Sequence, residues 1–444
     1  MKSVLSFSFL TFTLLYSNSL TIYNNNLGHV NESQKILLQE GLQEIKFTNL
    51  PQSIIVDSIV ASFDDGVQII SQSFKNNPLS LENLLKANLN QEVEFYSQER
   101  EKKLLKGRLI NLNPTIIESN SKYYIVSSSS IVFNKLPQNI DYKPYILWSL
   151  DSKIAKESSV DLSYLLHGIH WSSNYTIGLD RKHLHLKAWA TITNQSGKDF
   201  NNTDVELIAG VVNRHGANTT PIRRLYKSKA MAMEASADVS LVPKSISGYH
   251  LYKLPHRVTI HNNESKQFVM FEAKNIKYNR YAIANSNNFS NYGERKLHFA
   301  QVIEFKNTQK NGLGMPLPAG LVRVYKEKYY LGEARIGNTP KDEKVTLNIG
   351  QIFDVVGKKR VTKYIVREKY RDVVTKYTIK NRGTEPIEVK LSENIPRYKE
   401  SIKFNTSCSG QCSSKEMSAF RREFRIKLKP NESYSFTTEF EVYY

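Results

Sequence analysis

The segment HLHLKAWATIT, residues 183–193, alternates strictly: Leu184, Leu186, Ala188, Ala190 and Ile192 fall on every second position. Successive side chains of a strand point to opposite faces, so a period of two describes a half-buried strand. A helix repeats its apolar positions every three to four residues and does not fit. The same period returns in QFVMFEA, LVRVY, VTLNI, KYTIKN and YSFTTEFEVYY, with Asn, Gly and Pro clusters between the runs. Such spacing predicts antiparallel strands joined by turns. Helical signal is sparse. LSLENLLKA (79–87) reads as a short helix capped by Ser80, and KSKAMAMEASAD (227–238) as a weaker one. The expected fold class is mainly β: several linked antiparallel β-sandwich or small β-barrel domains with one or two short helices.

The chain has 444 residues, of which 40% are hydrophobic and 11% aromatic, enough for sizeable cores and unlike a disordered chain. Its first residues, MKSVLSFSFLTFTLLYSNS, place Lys2 before an apolar run and small residues at Ser17 and Ser19. That is the layout of a secretory signal peptide over 1–19, and the run is short for a membrane span. No later stretch is long and apolar enough for a spanning helix, so no transmembrane helix is expected once the signal is removed. The expected organisation continues with an N-terminal β segment at 20–78, in which SIIVDSIVASF forms a strand. A small barrel-like domain follows at 79–140, then a β-sandwich at 141–250 and a C-terminal β-sandwich region at 251–444. Trp171 and Trp189 are expected in the core of the 141–250 sandwich. The weakly patterned stretch 213–247 reads as a long insertion in it.

The charge is basic: 61 Lys and Arg against 42 Asp and Glu give a formal +19. The cations are scattered, with short runs such as GKKR, and no nucleic-acid-binding module is recognisable. A solvated surface accounts for most of this charge, and an anionic partner such as nucleic acid, lipid headgroups or an acidic polysaccharide is what it would otherwise suit.

Candidate sites are few. The two cysteines, Cys408 and Cys412, lie in CSGQC and are expected to form a local disulfide in an exported protein. His183 and His185 share one strand face opposite the leucines. With His167 or His170 on a neighbouring strand they would offer imidazoles to zinc or copper; the plainer account is four half-exposed histidines on a sandwich. No G-x-S-x-G turn, phosphate-cradling glycine loop or helix–loop–helix calcium site is present. Asp64 and Asp65 in DDG read as a hairpin turn. The 25 tyrosines, clustered with lysines in KYY and KYYLGE, suit glycan or protein contacts and equally suit ordinary strands. No cofactor is implied.

One stretch has more local structure than the rest. In PLPAGLVRVYKEKYYLGE, Pro316 and Pro318 fix two φ angles, Gly320 relieves the turn, and Leu321, Arg323 and Tyr325 alternate with Val322 and Val324. GNTPKDEK, with Pro340 early in the turn, reads as a polar hairpin connection. Asp354 and Arg360, in QIFDVVGKKR, are close enough in sequence to be able to pair across a bend. These segments recur in order with LTIYNNNLGHV, LSYLLHGIHWSSNY, WATITNQSGKDFNNTDVELIAG, LYKLPHRVTIHNNESKQFVMFE and YTIKNRGTEPIEVKLSENIP. As a colinear set they resemble a bacterial mucoidy-inhibitor-like family of unknown function. The resemblance implies a β-rich chain without an agreed activity or cofactor. Many members carry a coiled-coil insertion, for which this chain has no heptad run.

The expected function is therefore that of an exported, periplasmic or surface-associated envelope protein. It would be non-enzymatic and would bind or scaffold a protein or anionic glycan partner. The alternatives are an outer-membrane β-barrel, with its aromatic C-terminal end, and a metal-dependent envelope hydrolase built on the histidines.

Overall fold

The computed structural model describes residues 18–76, 80–97, 102–133, 143–153, 155–210, 243–246, 248–287, 293–394 and 401–443. The signal segment, apart from its last two residues, and the second helix candidate lie outside the described residues, as does nearly all of the 213–247 insertion. What is described is mainly β, 68% strand and 4% helical, in several antiparallel and mixed sheets, and no sheet among the described residues closes into a barrel. Two compact units form. One holds the described residues of Met1–Trp171, Ile192–Thr220 and Lys253–Lys266; the other those of Ser172–Thr191, Pro221–Tyr252 and Gln267–Tyr444.

In the first unit, Ser19–Tyr23 sits between Phe200–Ala209, which it pairs in parallel, and Gly28–Leu37. Glu157–Leu166 continues the sheet beside Gly28–Leu37, and Val60–Phe63 lies next to it. Residues 19–47 thus hold three strands, Ser19–Tyr23, Gly28–Leu37 and Gly41–Phe47. SIIVDSIVASF opens with a single 3-10 turn, Val56–Ser58, before its strand. Asp65 and Gly66 do turn the chain, but Val60–Phe63 and Val67–Lys75 pair with different strands, so no hairpin results. Trp148, on the central strand Tyr145–Ser152 of a three-stranded sheet, is buried against Phe47 and Phe63 at ring distances of 5.4 and 5.3 Å. Its Nε1 donates to Gln72 Oε1 at 2.7 Å, which satisfies the one polar atom such burial would strand.

The region expected to be barrel-like is an open five-stranded sheet, ordered Ile131–Val132, Glu92–Tyr96, Leu104–Leu112, Thr115–Ser119, Lys122–Ile125. Helix Leu81–Ala87 has Ser80 as its N-cap, accepting from Asn83 N at 3.2 Å, and contributes Leu85 to the small core with Phe95, Leu109 and Ile117. Five short strands with one covering helix make a core on one face without closure.

The second unit is a sandwich. One sheet carries the alternating strand His183–Asn194 beside the long Glu264–Asn287, then Ile387–Asn394, Arg421–Leu428 and Cys412–Ser418. The other is ordered Gly293–Leu297, Val355–Arg367, Tyr370–Asn381, Ser433–Tyr443, Ser401–Thr406. Ala282, Ala284, Val389, Leu391, Phe424 and Ile426 from the first sheet pack against Val355, Tyr377, Ile379 and Phe436 from the second. Leu184, Leu186, Ala188, Ala190 and Ile192 are buried as their period requires. The same period overturns one expectation. Trp189 falls on the outward phase of the strand, half-buried, with Lys187 Nζ 4.6 Å from its ring, whereas Trp171 is 1% exposed.

Candidate functional site

The proline-rich stretch folds as a fastening. Val322 and Val324 are the buried phase of strand Gly320–Lys326, which pairs in parallel with residues 173–179 of Ile169–Leu179. The two proline carbonyls before it face inward. Tyr175 donates its hydroxyl to Pro318 O at 2.7 Å, and Tyr252 donates to Pro316 O at 3.0 Å. Burial pushes the pKa of both phenols up, so both remain protonated donors. Gly320 is required because a Cβ there would meet Ser173 O at 2.2 Å. Asn307, fully buried, spends its amide on Met315 O at 2.7 Å and Pro340 O at 2.8 Å, while its Oδ1 accepts from Gly314 N at 3.0 Å. The GNTPKDEK connection therefore closes no ladder between its own flanking strands. It is held by a bridge between Leu317 and Thr339 and by Asn307. Asp354 does not pair with Arg360. Its carbonyl accepts from Arg382 N, and Arg360 lies six positions along an extended strand, roughly 20 Å away.

The four histidines are half-buried and do not converge. His185 Nε2 lies 2.7 Å from Glu272 Oε1, and His167 Nδ1 lies 3.1 Å from Asn26 O. His183 takes the first position of its strand, and His170 lies on Ile169–Leu179. Among the described residues, no group of three or more His, Cys, Asp or Glu side chains is placed to hold a metal. Cys408 and Cys412 are bonded to each other; Cys412 is buried in the sandwich core. Tyr434 steadies the loop between them, its hydroxyl donating to Ser409 O at 2.9 Å.

Among the described residues, the most perturbed acid is one the sequence analysis did not single out. Glu393 has no exposed surface. It sits in a cross-strand row, Ser286–Glu393–Arg422, that faces a row Lys359–Tyr377–Phe436 on the opposite sheet. Lys359 Nζ donates to Ser286 Oγ at 3.3 Å and to Asn287 O at 2.5 Å. Ser286 and Tyr377 share a hydrogen bond of 3.0 Å, and Tyr377 donates to Glu393 Oε1. Burial raises the Glu393 pKa to about 7, against smaller lowering effects from Tyr377, Lys359, Thr438 and Arg422. Glu393 Oε2 and Thr438 Oγ1 have no hydrogen-bond partner of normal geometry. The Lys359 pKa is lowered, again mainly by burial.

An acid near neutrality, a phenol and an amine are the ingredients of proton-transfer chemistry. Here they are sealed between two sheets. Two surface cavities of about 220 and 360 Å³ lie elsewhere, one lined by Glu92, Glu94 and Lys106, the other by Glu388, Gln411 and Lys427, and neither is lined by Glu393. In place, the layer ties the two sheets together: Lys359 and Tyr377 of one donate to Ser286, Asn287 and Glu393 of the other.

Facing sheets over one apolar core, with a buried polar chain at one level and a tyrosine-fastened proline turn, define a β-sandwich protein whose conspicuous residues are used internally. The chain belongs to the family described as Domain of unknown function (DUF4139), whose model matches residues 160–444, more than half of the chain. No curated protein matches it.

Proposed function

We propose that the chain is an exported, non-enzymatic envelope protein of the mucoidy-inhibitor-like kind, which binds or scaffolds a protein or glycan partner. The observation that carries this reading is the use made of the most distinctive residues. Pro316, Pro318, Gly320, Pro340 and Asn307 hold backbone to backbone, and Glu393, whose pKa burial raises to about 7, is enclosed in a core. The export signal at 1–19 supplies the compartment, in which the Cys408–Cys412 bond persists. Cleavage after Ser19 leaves the first strand intact from Leu20 onward.

Two measurements on the expressed full chain test the reading. N-terminal sequencing of the periplasmic form is expected to begin at Leu20; a form found only in the cytosol with Met1 in place removes the export claim. A panel of ester, glycoside, peptide and phosphate substrates, with and without added zinc, is expected to show no turnover above blank. Turnover that disappears in Glu393→Gln would make the enclosed layer a catalytic one and end the proposal.

A further inference from the structure

The outer face of the second unit's smaller sheet carries a concentration of cations that folding does not explain. Register aligns three rows across it. Lys296 stands beside Lys358, followed by Thr378 and Ser435. Glu294 stands beside Arg360, followed by Lys376 and Thr437. Val356 stands beside Lys380, followed by Ser433. Lys296, Lys358, Arg360, Lys376 and Lys380 are all exposed. The one carboxylate on these rows, Glu294, is engaged by Lys358 at 2.6 Å.

Two of the cation pairs, Lys296 with Lys358 and Arg360 with Lys376, lie directly opposite on neighbouring strands. Like charges in that position repel and cost stability. The rows also repeat roughly every 7 Å along the strands and roughly every 5 Å between them. We infer that this face binds an extended acidic polysaccharide, bearing carboxylate or sulfate groups, laid across the sheet. The inference rests on the binding role proposed above and names its partner.

The cationic rows end where the same face turns to Val374–Glu439, Asp372–Glu441 and Tyr370–Tyr443, whose acids are paired with Lys363 and Lys403; within the cationic rows the side chains favour a glycan over other polyanions. Thr378, Ser433, Ser435 and Thr437 supply hydroxyls beside the cations, suited to sugar hydroxyl and ring oxygens. Sequence-tolerant single-stranded nucleic-acid binding stacks bases on aromatic side chains, and these rows carry none. A membrane surface would be met by apolar side chains inserted beside the cations, and the only apolar residue on the rows is half-buried Val356. A flat sheet with rows of point charges matches a ribbon of repeating anions.

The test uses the full chain with polygalacturonate and dextran sulfate, neutral dextran as blank, and oligo-dT and phosphatidylglycerol vesicles as competing polyanions. Three proteins are compared: the native chain, the face variant Arg360→Gln/Lys376→Gln/Lys380→Gln, and an off-face variant of equal charge, Lys310→Gln/Lys341→Gln/Lys415→Gln. The native chain is expected to bind at least one acidic polysaccharide at low salt, more weakly as salt rises. The face variant should lose at least about tenfold in affinity and the off-face variant less than about twofold. Because the face variant removes a like-charge pair, its melting temperature should not fall, which separates lost binding from lost folding. Equal loss in both variants would reduce the effect to net charge and overturn the inference. So would absence of polysaccharide binding, or tighter binding of DNA or vesicles through this face. Release of reducing ends from the polymer would instead sink the non-enzymatic reading, whatever the affinity.

Discussion

Glu393 is a carboxyl with no exposed surface and one oxygen without a partner. Burying the ionised form in that position is costly, and its pKa, raised to about 7, records the cost. The unfolded chain ionises this group near pH ~4.3. Between that value and about 7 the native state binds more protons than the unfolded one, so stability falls as pH rises through this window. The full effect is on the order of 3 kcal/mol, present below the unfolded pKa and gone above the folded one. Glu393→Gln keeps an acceptor for Tyr377 and removes the titration. Urea unfolding of the two proteins from pH 4 to 8 is expected to show the variant gaining on the native protein as pH rises, and exceeding it at pH 8. Parallel curves would mean that the carboxyl titrates alike in the folded and unfolded chain, so that burial does not raise its pKa. The residue was within reach of the sequence. Ile387, Val389, Leu391 and Glu393 share one phase of IEVKLSEN, and Val355, Gly357, Lys359 and Val361 share one phase of VVGKKRV. A charge on an inward phase is the signal, and it requires reading alternation for what interrupts it. The cations of the outer face were legible only as scattered lysines and an arginine, because nothing in the chain states which strands lie side by side.

At the level of elements, alternation was a sound guide and pairing was not. His183–Asn194, Gly320–Lys326 and Ser433–Tyr443 bury the phase their sequences mark. Strand direction did not follow. Ser19–Tyr23 pairs in parallel with Phe200–Ala209, and Glu264–Asn287 with Ile387–Asn394. Such partners lie more than a hundred residues apart, whereas turn chemistry reports only on neighbours in sequence. The same gap explains why the described strands of 79–140 form an open sheet where a barrel was expected: closure is a property of the last pairing, which no strand carries alone. Local chemistry was the most legible of all, as the Ser80 cap and the Cys408–Cys412 bond show. That bond spans a sequence separation of only 4. Loop-closure entropy then assigns it a modest effect of about 2 kcal/mol. Cys408→Ala/Cys412→Ala avoids burying a new hydroxyl at the core position of Cys412. Its unfolding free energy is expected to drop by that amount, read as a lower urea midpoint with an unchanged denaturant slope. No change in midpoint would show that Tyr434 alone holds the loop.

For the whole molecule, the consequence of distant pairing is that neither unit is a continuous piece of chain. The second unit takes Ser172–Thr191 from the middle of the first unit's sequence. Remove that segment and Gly320–Lys326 loses the parallel neighbour on its inner side, leaving only Tyr329–Ile336. Val322 and Val324, 1% and 0% exposed, would then face water along that edge. Pro318 O would lose Tyr175, and Pro316 O would lose Tyr252 in any piece starting after it. Unpaired buried carbonyls cost about 1–3 kcal/mol each, and whole domains are stable by only about 5–15 kcal/mol. A fragment of residues 267–444 holds most of both sheets and would be the natural choice on sequence order alone. It is nonetheless expected to lack the full chain's cooperative urea transition, and to bind a hydrophobic dye at concentrations where the full chain does not. Adding a peptide of residues 172–191 should restore part of the transition, since that hairpin supplies both the missing neighbour and Tyr175. A fragment that unfolds as sharply as the full chain, with or without the peptide, would show that the sandwich stands without the strand that the proline turn fastens.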